Sequence, residues 1–529
     1  MSNNNFNPVK PFYDNALLNP ENLALWVDNT LYTYRELAIG ACRLAKWLCN
    51  IQEQPVKRVA LLTNRSIASY LGILGAGWVG ACYVPLNPIF PEKRLLNIIS
   101  QAKPDALIVG KECIELLTPK ILELFSGKII LANDKSFEVH GQLIDGLYQL
   151  PSPTEFRPPS EIGADSEAYL VFTSGTTGQP NGVAINAGNL AFAIQTLLAR
   201  YPFDESDRFS QFFEISFDFS VMDIFVPWQV GASTHVVPQG QRLGPGHFIQ
   251  DQQLTVWTCV PNMINLMNQM KMLKPGIFPS LRFSCFSGET LTAAAARIWQ
   301  DATPNGKVVN LYGQTEAPIG SLVQTFSPEA PLTTETGGLA LGSPLKGTMV
   351  GIINPNNEFV KPGTKGELAL AGPHIASGYL NSPERTKNKF RNILHPVYGF
   401  QDWYISGDLA FQEENSIFHF LGRTDTELKV GSYRVMLEEV EYYLLKHTNY
   451  HTVAITPWHN HLGVAEALIG FVVTDKEVNE SKVKKSMGQD LPRAMLPRRI
   501  FAIPELPLNP NGKIDRNALA QIADKLVGL

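Results

Sequence analysis

Ten small or polar residues separate two strand-like apolar runs in residues 170–185, which read LVFTSGTTGQPNGVAI. They are Thr173, Ser174, Gly175, Thr176, Thr177, Gly178, Gln179, Pro180, Asn181 and Gly182. Small residues allow several backbone N–H groups to point into one concavity, and hydroxyl groups add donors, so the segment suits a phosphate. No Gly-Lys-Ser or Gly-Lys-Thr follows the glycines, which excludes a Walker loop. Taken alone, the segment fits a phosphate-binding loop or an ordinary surface connection.

Three other places hold side chains suited to nucleotide chemistry. In NLYGQTEAPIG (310–320), the ring of Tyr312 can stack on a purine, the hydroxyl of Thr315 can contact a phosphate and the carboxylate of Glu316 can bind Mg²⁺. Asp408 follows a strand-like run and a glycine, where a carboxylate can bind ribose hydroxyls. Lys513 lies in an Asn-Gly turn. Considered singly, Asp408 is better explained as a turn residue and Lys513 as a solvated charge.

The elements that must position these residues alternate between strand and helix. RVALLTN precedes SIASYLGILGAGWVGA, DALIVG precedes CIELLTPKILELF, and TVWTCV precedes PNMINLMNQMKML. This alternation predicts α/β layers with largely parallel sheets. From about Gly366 the pattern changes to shorter strands and turns, and after Asp425 a small unit begins with a helical run that places Leu437, Val440 and Leu444 on one face. We therefore expect a large domain, 1–424, and a small one, 425–529.

Composition and charge exclude several classes of protein. The chain of 529 residues is too long for one core, and its 44% hydrophobic and 18% charged residues are ordinary for a globular protein. The net charge of -5, with no cluster of Lys and Arg, argues against nucleic acid and against an anionic membrane surface. Six scattered cysteines and the lack of a signal pattern predict reduced thiols and a cytoplasmic location.

Taken together and in order, these segments resemble the adenylate-forming superfamily, which includes acyl-CoA synthetases, beetle luciferases and the adenylation domains of nonribosomal peptide synthesis. The resemblance spans nearly the whole chain through YTYREL, GAGWVGACYVPLNP, LVFTSGTTGQPNG, FDFSVMDIF, NLYGQTE, GELALAGPHIASGYLN, YISGDLA, GRTDTELKVGSYR, LPRAMLP and NPNGKIDR. It implies a large N-terminal domain of layered α/β sheets with a distorted β-barrel. It also implies a small mobile α+β C-terminal domain that carries a catalytic lysine and rotates about a hinge.

The resemblance also implies roles for individual residues. Lys513 would bridge the attacking carboxylate and AMP, Thr315 would contact the α-phosphate of ATP, and Glu316 would hold Mg²⁺. Asp425 would be the hinge. The nucleotide-binding residues would be Thr173, Ser174, Gly175, Thr176, Thr177, Gly178, Gly288, Glu289, Asn310, Tyr312, Gly313, Asp408 and Arg423.

The sequence departs from the family pattern at three positions. Asn181 stands where the loop usually has a lysine, and Gln314 stands where proline is usual. Gly431 and Ser432 precede Tyr433, whereas the family often has Arg-Gly or His-Gly there. The backbone that lines the tunnel for the thiol is therefore expected to differ.

The resemblance also points to the class of substrate. Asp218 stands where amino-acid-activating members keep an aspartate for the α-ammonium, and the alternative is that it caps a helix beginning at Ser220. The implied pocket comprises Asp218, Phe219, Met222, Thr258, Cys285, Ser287, Leu311, Ile319 and Gly320. Apart from Asp218 these residues are uncharged, which favours a compact apolar amino acid, with L-proline first and D-alanine next. A CoA ligase for a small acid and a non-catalytic nucleotide-binding protein are the alternatives.

No carrier-like motif follows Lys513, so a freestanding enzyme is expected. By the resemblance it would use ATP and Mg²⁺ and load the phosphopantetheine thiol of a separate acyl or peptidyl carrier protein.

Overall fold

The computed structural model describes residues 5–126, 128–153, 156–175, 179–424, 427–431, 433–448, 450, 452–459, 464–507 and 514–527. The chain forms two compact units. The first comprises Met1–Pro88, Ala102–Val171 and Val183–Leu421, and the second comprises Ile89–Gln101, Phe172–Gly182 and Gly422–Leu529. Two short segments from early in the sequence thus belong to the same unit as the C-terminal residues.

The α-helices of the described residues are α1 (Lys10–Leu18), α2 (Tyr34–Asn50), α3 (Ile67–Trp78), α4 (Glu92–Ala102), α5 (Pro119–Phe125), α6 (Ala187–Arg200), α7 (Ser220–Val230), α8 (Gly246–Asp251), α9 (Asn262–Gln269), α10 (Ala293–Ala302), α11 (Pro383–Lys389), α12 (Leu437–Lys446), α13 (Glu480–Met487) and α14 (Arg516–Val527).

The strands up to residue 325 are β1 (Leu23–Val27), β2 (Thr30–Thr33), β3 (Arg58–Leu62), β4 (Cys82–Leu86), β5 (Ala106–Val109), β6 (Ile129–Leu131), β7 (Phe137–Val139), β8 (Gln142–Ile144), β9 (Glu167–Thr173), β10 (Asn181–Asn186), β11 (Arg208–Gln211), β12 (Ser233–Val236), β13 (Val256–Cys259), β14 (Phe283–Phe286), β15 (Lys307–Gln314) and β16 (Ala317–Thr325). The later strands are β17 (Leu332–Thr333), β18 (Gly338–Leu339), β19 (Ser343–Pro344), β20 (Met349–Ile353), β21 (Gly366–Ala371), β22 (Phe390–His395), β23 (Gly399–Gln412), β24 (Phe418–Arg423), β25 (Glu427–Val430), β26 (Tyr433–Met436), β27 (Val453–Trp458), β28 (Val464–Ala465), β29 (Ala467–Val473) and β30 (Arg499–Ile503).

Two sheets form the layered part of the first unit, as the alternation of strand and helix predicted. One has the order β10-β9-β4-β3-β5-β6, and the other has the order β19-β16-β15-β14-β13-β11-β12-β1-β2. Strands β3, β4 and β5 pair in parallel, as do β11, β13, β14 and β15. Helices follow β3, β4, β5, β11, β13 and β14 in the sequence, and these strands are buried apart from Arg58 and Arg208 at the starts of β3 and β11.

The third large sheet of the first unit is antiparallel. Strands β20, β21, β23 and β22 are hydrogen-bonded in that order, and β24 also pairs with β23. The sequence predicted short strands after Gly366, but β23 has 14 residues. Intermediate and exposed residues alternate at its start, and residues 403–408 in its middle are buried.

One predicted helix is interrupted. The run CIELLTPKILELF forms a 3₁₀ turn, Lys111–Leu116, and then the separate helix α5. Proline lacks a backbone N–H and disfavours a helical conformation in the residue before it. The side chain of Thr118 accepts a hydrogen bond from the Ile121 backbone, so a new helix starts there.

The second unit contains two small sheets and the predicted amphipathic helix. Strand β25 pairs with β26 and β28, and β29 pairs with β27 and β30. Leu437, Val440 and Leu444 of α12 are all buried, as the helical spacing predicted. Helix α14 has Leu519 and Ala523 fully buried in a separate apolar cluster.

The described residues contain neither a disulfide bond nor a membrane-spanning helix. All six cysteines are free. Within the described ranges, none of the helices is both long and apolar enough to cross a membrane.

A buried ion pair joins two segments of the second unit. Nη1 of Arg94 on α4 lies 2.6 Å from Oε1 of Glu439 on α12, and the Glu439 side chain is fully buried. The guanidinium also lies over the ring of Phe90. Removal of one partner of such a pair leaves an uncompensated charge, whereas removal of both is much less costly.

We therefore expect Arg94→Leu to destabilise the second unit by about 3–5 kcal/mol. The double variant Arg94→Leu/Glu439→Leu should recover part of this loss. Urea unfolding of the single and double variants gives the coupling energy. A double variant that loses as much stability as the two single variants combined would contradict the interpretation.

Candidate active site

The turn between β15 and β16 presents Thr315 and Glu316. Gln314 pairs with Ala317 across this antiparallel hairpin, so the two residues between them form a tight connection. The Glu316 side chain is fully buried, and its Oε1 accepts a hydrogen bond of 2.6 Å from the phenol of Tyr379. The backbone N–H of Ala376 donates to the Glu316 carbonyl. One hydrogen bond therefore holds the Glu316 carboxylate and another holds its backbone.

The donors at this turn fit a hard cation. Carboxylate and hydroxyl oxygens are suitable ligands for Mg²⁺, which usually takes one or two protein carboxylates together with substrate phosphates. The described ranges contain no group of three or more His, Cys, Asp or Glu side chains arranged for a metal. Glu316 and Thr315 could thus hold Mg²⁺ as part of a site that a nucleotide completes.

Asp408 lies beside Tyr312, as the two predicted roles require. Oδ2 of Asp408 accepts hydrogen bonds from the hydroxyl of Tyr312 at 2.5 Å and from Nε2 of Gln314 at 2.7 Å. The Asp408 carboxylate is 4% exposed, whereas Tyr312 is half-buried. The hairpin β15–β16 and strand β23 thus bring together the residues predicted for adenine and ribose.

The other predicted nucleotide residues of the first unit mostly support the backbone. Nδ2 of Asn310 donates to the carbonyl of Ala340, and Oε2 of Glu289 accepts from the N–H of Asn262, the first residue of α9. Gly313 lies so close to β16 that an added Cβ would come within 2.9 Å of the Gly320 Cα. Gly288 has a φ of +94°, which favours glycine.

Asn181 closes the base of the polar loop. Its Nδ2 donates 2.8 Å to the carbonyl of Ser174, and its own carbonyl accepts from the hydroxyl of Thr173 at 3.5 Å. The asparagine that replaces the usual lysine therefore supports the loop's own backbone. Thr176, Thr177 and Gly178 lie outside the described residues.

The described part of the loop donates to an anion. The N–H of Gly175 lies 3.2 Å from Oε2 of Glu439, within the second unit. The hydroxyl of Ser174 donates to the carbonyl of Arg434 and accepts from the N–H of Met436. A backbone N–H that donates a hydrogen bond to a carboxylate oxygen can donate in the same way to a phosphate oxygen.

The remaining predicted residues belong to the second unit or lie outside the described residues. Arg423 belongs to the second unit, where its Nη2 lies 3.0 Å from Oε1 of Glu427. Asp408 belongs to the first unit. Asp425 and Lys513 lie outside the described residues, so their predicted roles stay predictions.

The predicted substrate residues surround the start of α7 and the ends of neighbouring strands. Thr258 on β13 pairs with Cys285 on β14, and the side chain of Leu311 contacts Gly320 on the adjacent hairpin strand. Except for Asp218, all of the predicted residues are buried, namely Phe219, Met222, Thr258, Cys285, Ser287, Leu311, Ile319 and Gly320. Burial raises the pKa of the Cys285 thiol to about 12, so this side chain is neutral.

Asp218 is not the N-cap residue of α7. Helix α7 has Phe219 as its N-cap residue, without a side-chain cap hydrogen bond. Asp218 is half-buried. The pKa of Tyr169 is raised mainly by burial, and the charge of Asp218 adds to this effect.

The sequence analysis missed a second aspartate, Asp223, which is fully buried on α7. Its Oδ1 accepts from the hydroxyl of Thr258 at 2.5 Å, and its Oδ2 accepts from the N–H of Phe212 at 3.3 Å. Burial raises the pKa of the Asp223 carboxyl well above its ordinary value. A lone acid within the apolar run VMDIF was the available signal.

Ile319 has an unusual backbone conformation, with a φ of +65°. This left-handed region is strongly disfavoured for a β-branched residue and costs about 1–3 kcal/mol. The pairing of β15 with β16 is irregular between Tyr312 and Gln314, close to this residue. The strained residue therefore lies in the irregular part of the hairpin.

The raised pKa of Asp223 has a consequence for stability. Above pH ~4 the unfolded chain releases the proton that the folded chain retains, so stability falls as pH rises towards the folded pKa. Asp223→Asn removes this dependence. We expect the parent to lose stability relative to Asp223→Asn between pH 4.5 and 7.5, measured by urea unfolding.

Asp204→Asn is the control, because the pKa of this exposed carboxyl is lowered, chiefly by a hydrogen bond from Ser206. Its difference from the parent should not vary above pH 4.5. A constant difference for Asp223→Asn as well would mean that Asp223 is ionised in the fold.

Known proteins are similar to this chain in sequence and in fold. The model of AMP-binding enzymes matches residues 12–380, and that of the AMP-binding enzyme C-terminal domain matches 439–513. The chain is 27% identical over 513 residues to gramicidin S synthase 2 of Brevibacillus brevis. The matched region covers 96% of this chain but only 11% of that synthase. It is 27% identical over 523 residues to a D-alanine–D-alanyl carrier protein ligase of Bacillus licheniformis, which covers 96% and 97% of the two chains.

The solved structures include a chain of similar fold and extent. The crystal structure of the Vibrio cholerae adenylation domain AlmE, in complex with glycyl-adenosine-5′-phosphate, superposes with a TM-score of 0.82 at 28% identity and covers 98% of both chains. The α/β fold class with a large and a smaller part is thereby confirmed. On the match over residues 12–380, this chain belongs to the family of AMP-binding enzymes.

Proposed function

We propose that this protein activates a small uncharged amino acid with ATP and transfers it to the phosphopantetheine thiol of a separate carrier protein. One observation carries the proposal: Asp218, a half-buried carboxylate, lies two residues before α7, whose first turn contributes to a set of buried, uncharged side chains. A carboxylate at such a position suits the α-ammonium group of an amino acid, and the uncharged surroundings suit a small neutral side chain.

Two relatives that match nearly the full length of both chains support this reaction class. One is named for D-alanine and its carrier protein, and the other was solved with glycyl-adenosine-5′-phosphate. The synthases among the relatives are much longer than this chain, so their complete activities do not transfer to it.

In the first step the substrate carboxylate attacks the α-phosphorus of ATP, the bond to the β-phosphate oxygen breaks, and pyrophosphate leaves. An anion must approach a polyanion, so positioning and positive charge are the main requirements. Bound Mg²⁺ would supply positive charge at the phosphates. Tyr379 holds the Glu316 carboxylate that would bind it, and Asp408 would accept from ribose hydroxyls.

In the second step the carrier thiolate attacks the carbonyl carbon of the aminoacyl-adenylate, and AMP leaves as the thioester forms. The roles of Lys513 in the first step and of Asp425 as a hinge remain part of this proposal, as does the division into 1–424 and 425–529. A cytoplasmic location fits the use of ATP.

The buried set restricts the amino acid. Glu or Lys would bury a charge without a partner, at a cost of several kcal/mol. L-proline fills more apolar space than alanine, which gains about 0.8 kcal/mol per additional buried CH₂. This ranks L-proline first, whereas the names of the two full-length relatives favour D-alanine or glycine.

ATP–pyrophosphate exchange with L-Pro, D-Ala, L-Ala, Gly, Val, Phe, Glu and Lys tests the proposal. We expect one of the small uncharged amino acids to give the highest kcat/KM and Glu and Lys to be inactive. Asp218→Asn keeps the shape but removes the charge, and should lower kcat/KM for the amino acid by about 100-fold, because a buried ammonium loses its partner.

Exposed Asp204→Asn is the matched control and should retain the parent's activity. The amino-acid proposal is wrong if Asp218→Asn is as active as the parent. A carboxylic acid without an amino group that is exchanged faster, with transfer to CoA, would show a CoA ligase instead.

Tyr379→Phe tests the assignment of Glu316. It removes one buried hydrogen bond to the carboxylate, worth about 1–3 kcal/mol, so we expect about a tenfold higher Mg²⁺ concentration for half-maximal exchange. Titration of exchange with Mg²⁺ at saturating ATP gives this value. Tyr34→Phe, which loses an equally buried hydroxyl bond to the Ala232 carbonyl, should leave it unchanged. An unchanged Mg²⁺ requirement in Tyr379→Phe would contradict the assignment.

A further inference from the structure

Gln314 occupies a position at which the resembled family usually has proline. Proline has no side-chain donor or acceptor, so it cannot make polar side-chain contacts there. The hydrogen bonds of the Gln314 amide are therefore ones that a proline at this position could not make. In this chain the amide is half-buried and makes several hydrogen bonds.

The orientation of the amide follows from its neighbours. Nε2 of Gln314 lies 2.7 Å from Oδ2 of Asp408 and 3.3 Å from the carbonyl of Ser406. A carboxylate and a carbonyl only accept hydrogen bonds, so the nitrogen must face them. Oε1 in turn accepts from the hydroxyl of Tyr404 at 2.6 Å. Tyr404 is fully buried, which fixes the amide from its far side.

The amide thereby holds the carboxylate assigned to ribose. Oδ2 of Asp408 receives Nε2 of Gln314 and the hydroxyl of Tyr312 together. Two donors on one oxygen fix the plane of the carboxylate and hence the direction of Oδ1. The same hydroxyl lies 3.4 Å from Nε2, so the tyrosine assigned to adenine belongs to the same network.

We propose that Gln314 is a positioning residue for the nucleotide, which acts through Asp408 to set the carboxylate for the ribose hydroxyls. The inference rests on the proposed nucleotide site but not on the identity of the amino acid. Hydrogen bonds to a charged group contribute more than neutral ones. The loss of this amide should therefore be measurable in nucleotide affinity.

Calorimetric titration of the full chain with AMP tests the proposal. Gln314→Met keeps the length of the side chain and removes both polar atoms. We expect its Kd for AMP to rise about tenfold, consistent with one hydrogen bond to a charged group. With 2′,3′-dideoxyAMP, which has no ribose hydroxyl, parent and variant should differ by less than about twofold.

The comparison of the two nucleotides separates positioning from general damage. A variant that is merely loosened should lose affinity for both nucleotides alike, and that outcome overturns the proposal, as does an unchanged Kd for AMP. Tyr404→Phe, which leaves Gln314 without one of its partners, should show a smaller loss of the same kind.

Gln300→Met is the matched control. Nε2 of Gln300 donates to the carbonyls of Thr303 and Gly306, both at 2.9 Å, so the same substitution removes a similar amide. Its Kd for AMP should equal that of the parent. Failure of every amino acid in the exchange assay would defeat the proposed reaction but not this inference, whereas a parent that does not bind AMP would defeat the inference itself.

Discussion

Removal of a carboxylate from water costs several kcal/mol unless donors inside the protein replace the lost hydration, and the candidate site is arranged around this requirement. The Glu316 carboxylate accepts a hydrogen bond from the phenol of Tyr379, and the Asp408 carboxylate accepts hydrogen bonds from Tyr312 and Gln314. In each case the donor lies far away in the sequence. The hydrogen bonds to Asp408 therefore fix β15 relative to β23, and the bond to Glu316 fixes the turn between β15 and β16 relative to Tyr379.

The hairpin β15–β16 carries residues of both predicted subsites. Tyr312, Thr315 and Glu316 belong to the nucleotide side, whereas Leu311, Ile319 and Gly320 belong to the amino-acid side. Close backbone approach at Gly313 and Gly320 packs the two strands tightly. An amino acid and a nucleotide bound here would share one rigid element, which suits a reaction whose main demand is alignment of two anions.

Local patterns predicted the fold well because strand and helix periodicity is a local property. They predicted the parallel sheets and the helix that carries Leu437 and Val440. They failed at CIELLTPKILELF, where Pro119 starts a new helix, and at β23, whose length depends on its neighbours in the sheet.

Contacts across long stretches of sequence were beyond reach. Tyr379 and Glu316 are 63 residues apart, and Gln314 and Asp408 are 94 apart. The motif ASGYLN was recognised, yet nothing local shows that its tyrosine meets a buried carboxylate. Gln314 stood out only as a departure from proline, because its partners come from the folded sheet. Asp223 was hidden inside an apolar helix for the same reason.

The left-handed backbone of Ile319 makes this position unequal to its neighbours for redesign of the pocket. Replacement of Met222 or Cys285 by a smaller residue leaves a cavity and lowers stability. Replacement of Ile319 by glycine enlarges the pocket as well, but it also relieves the strain at a φ of +65°. The relief offsets part of the cavity cost. Enlargement of the predicted pocket for a larger substrate should therefore cost less stability at residue 319 than at residue 222 or 285.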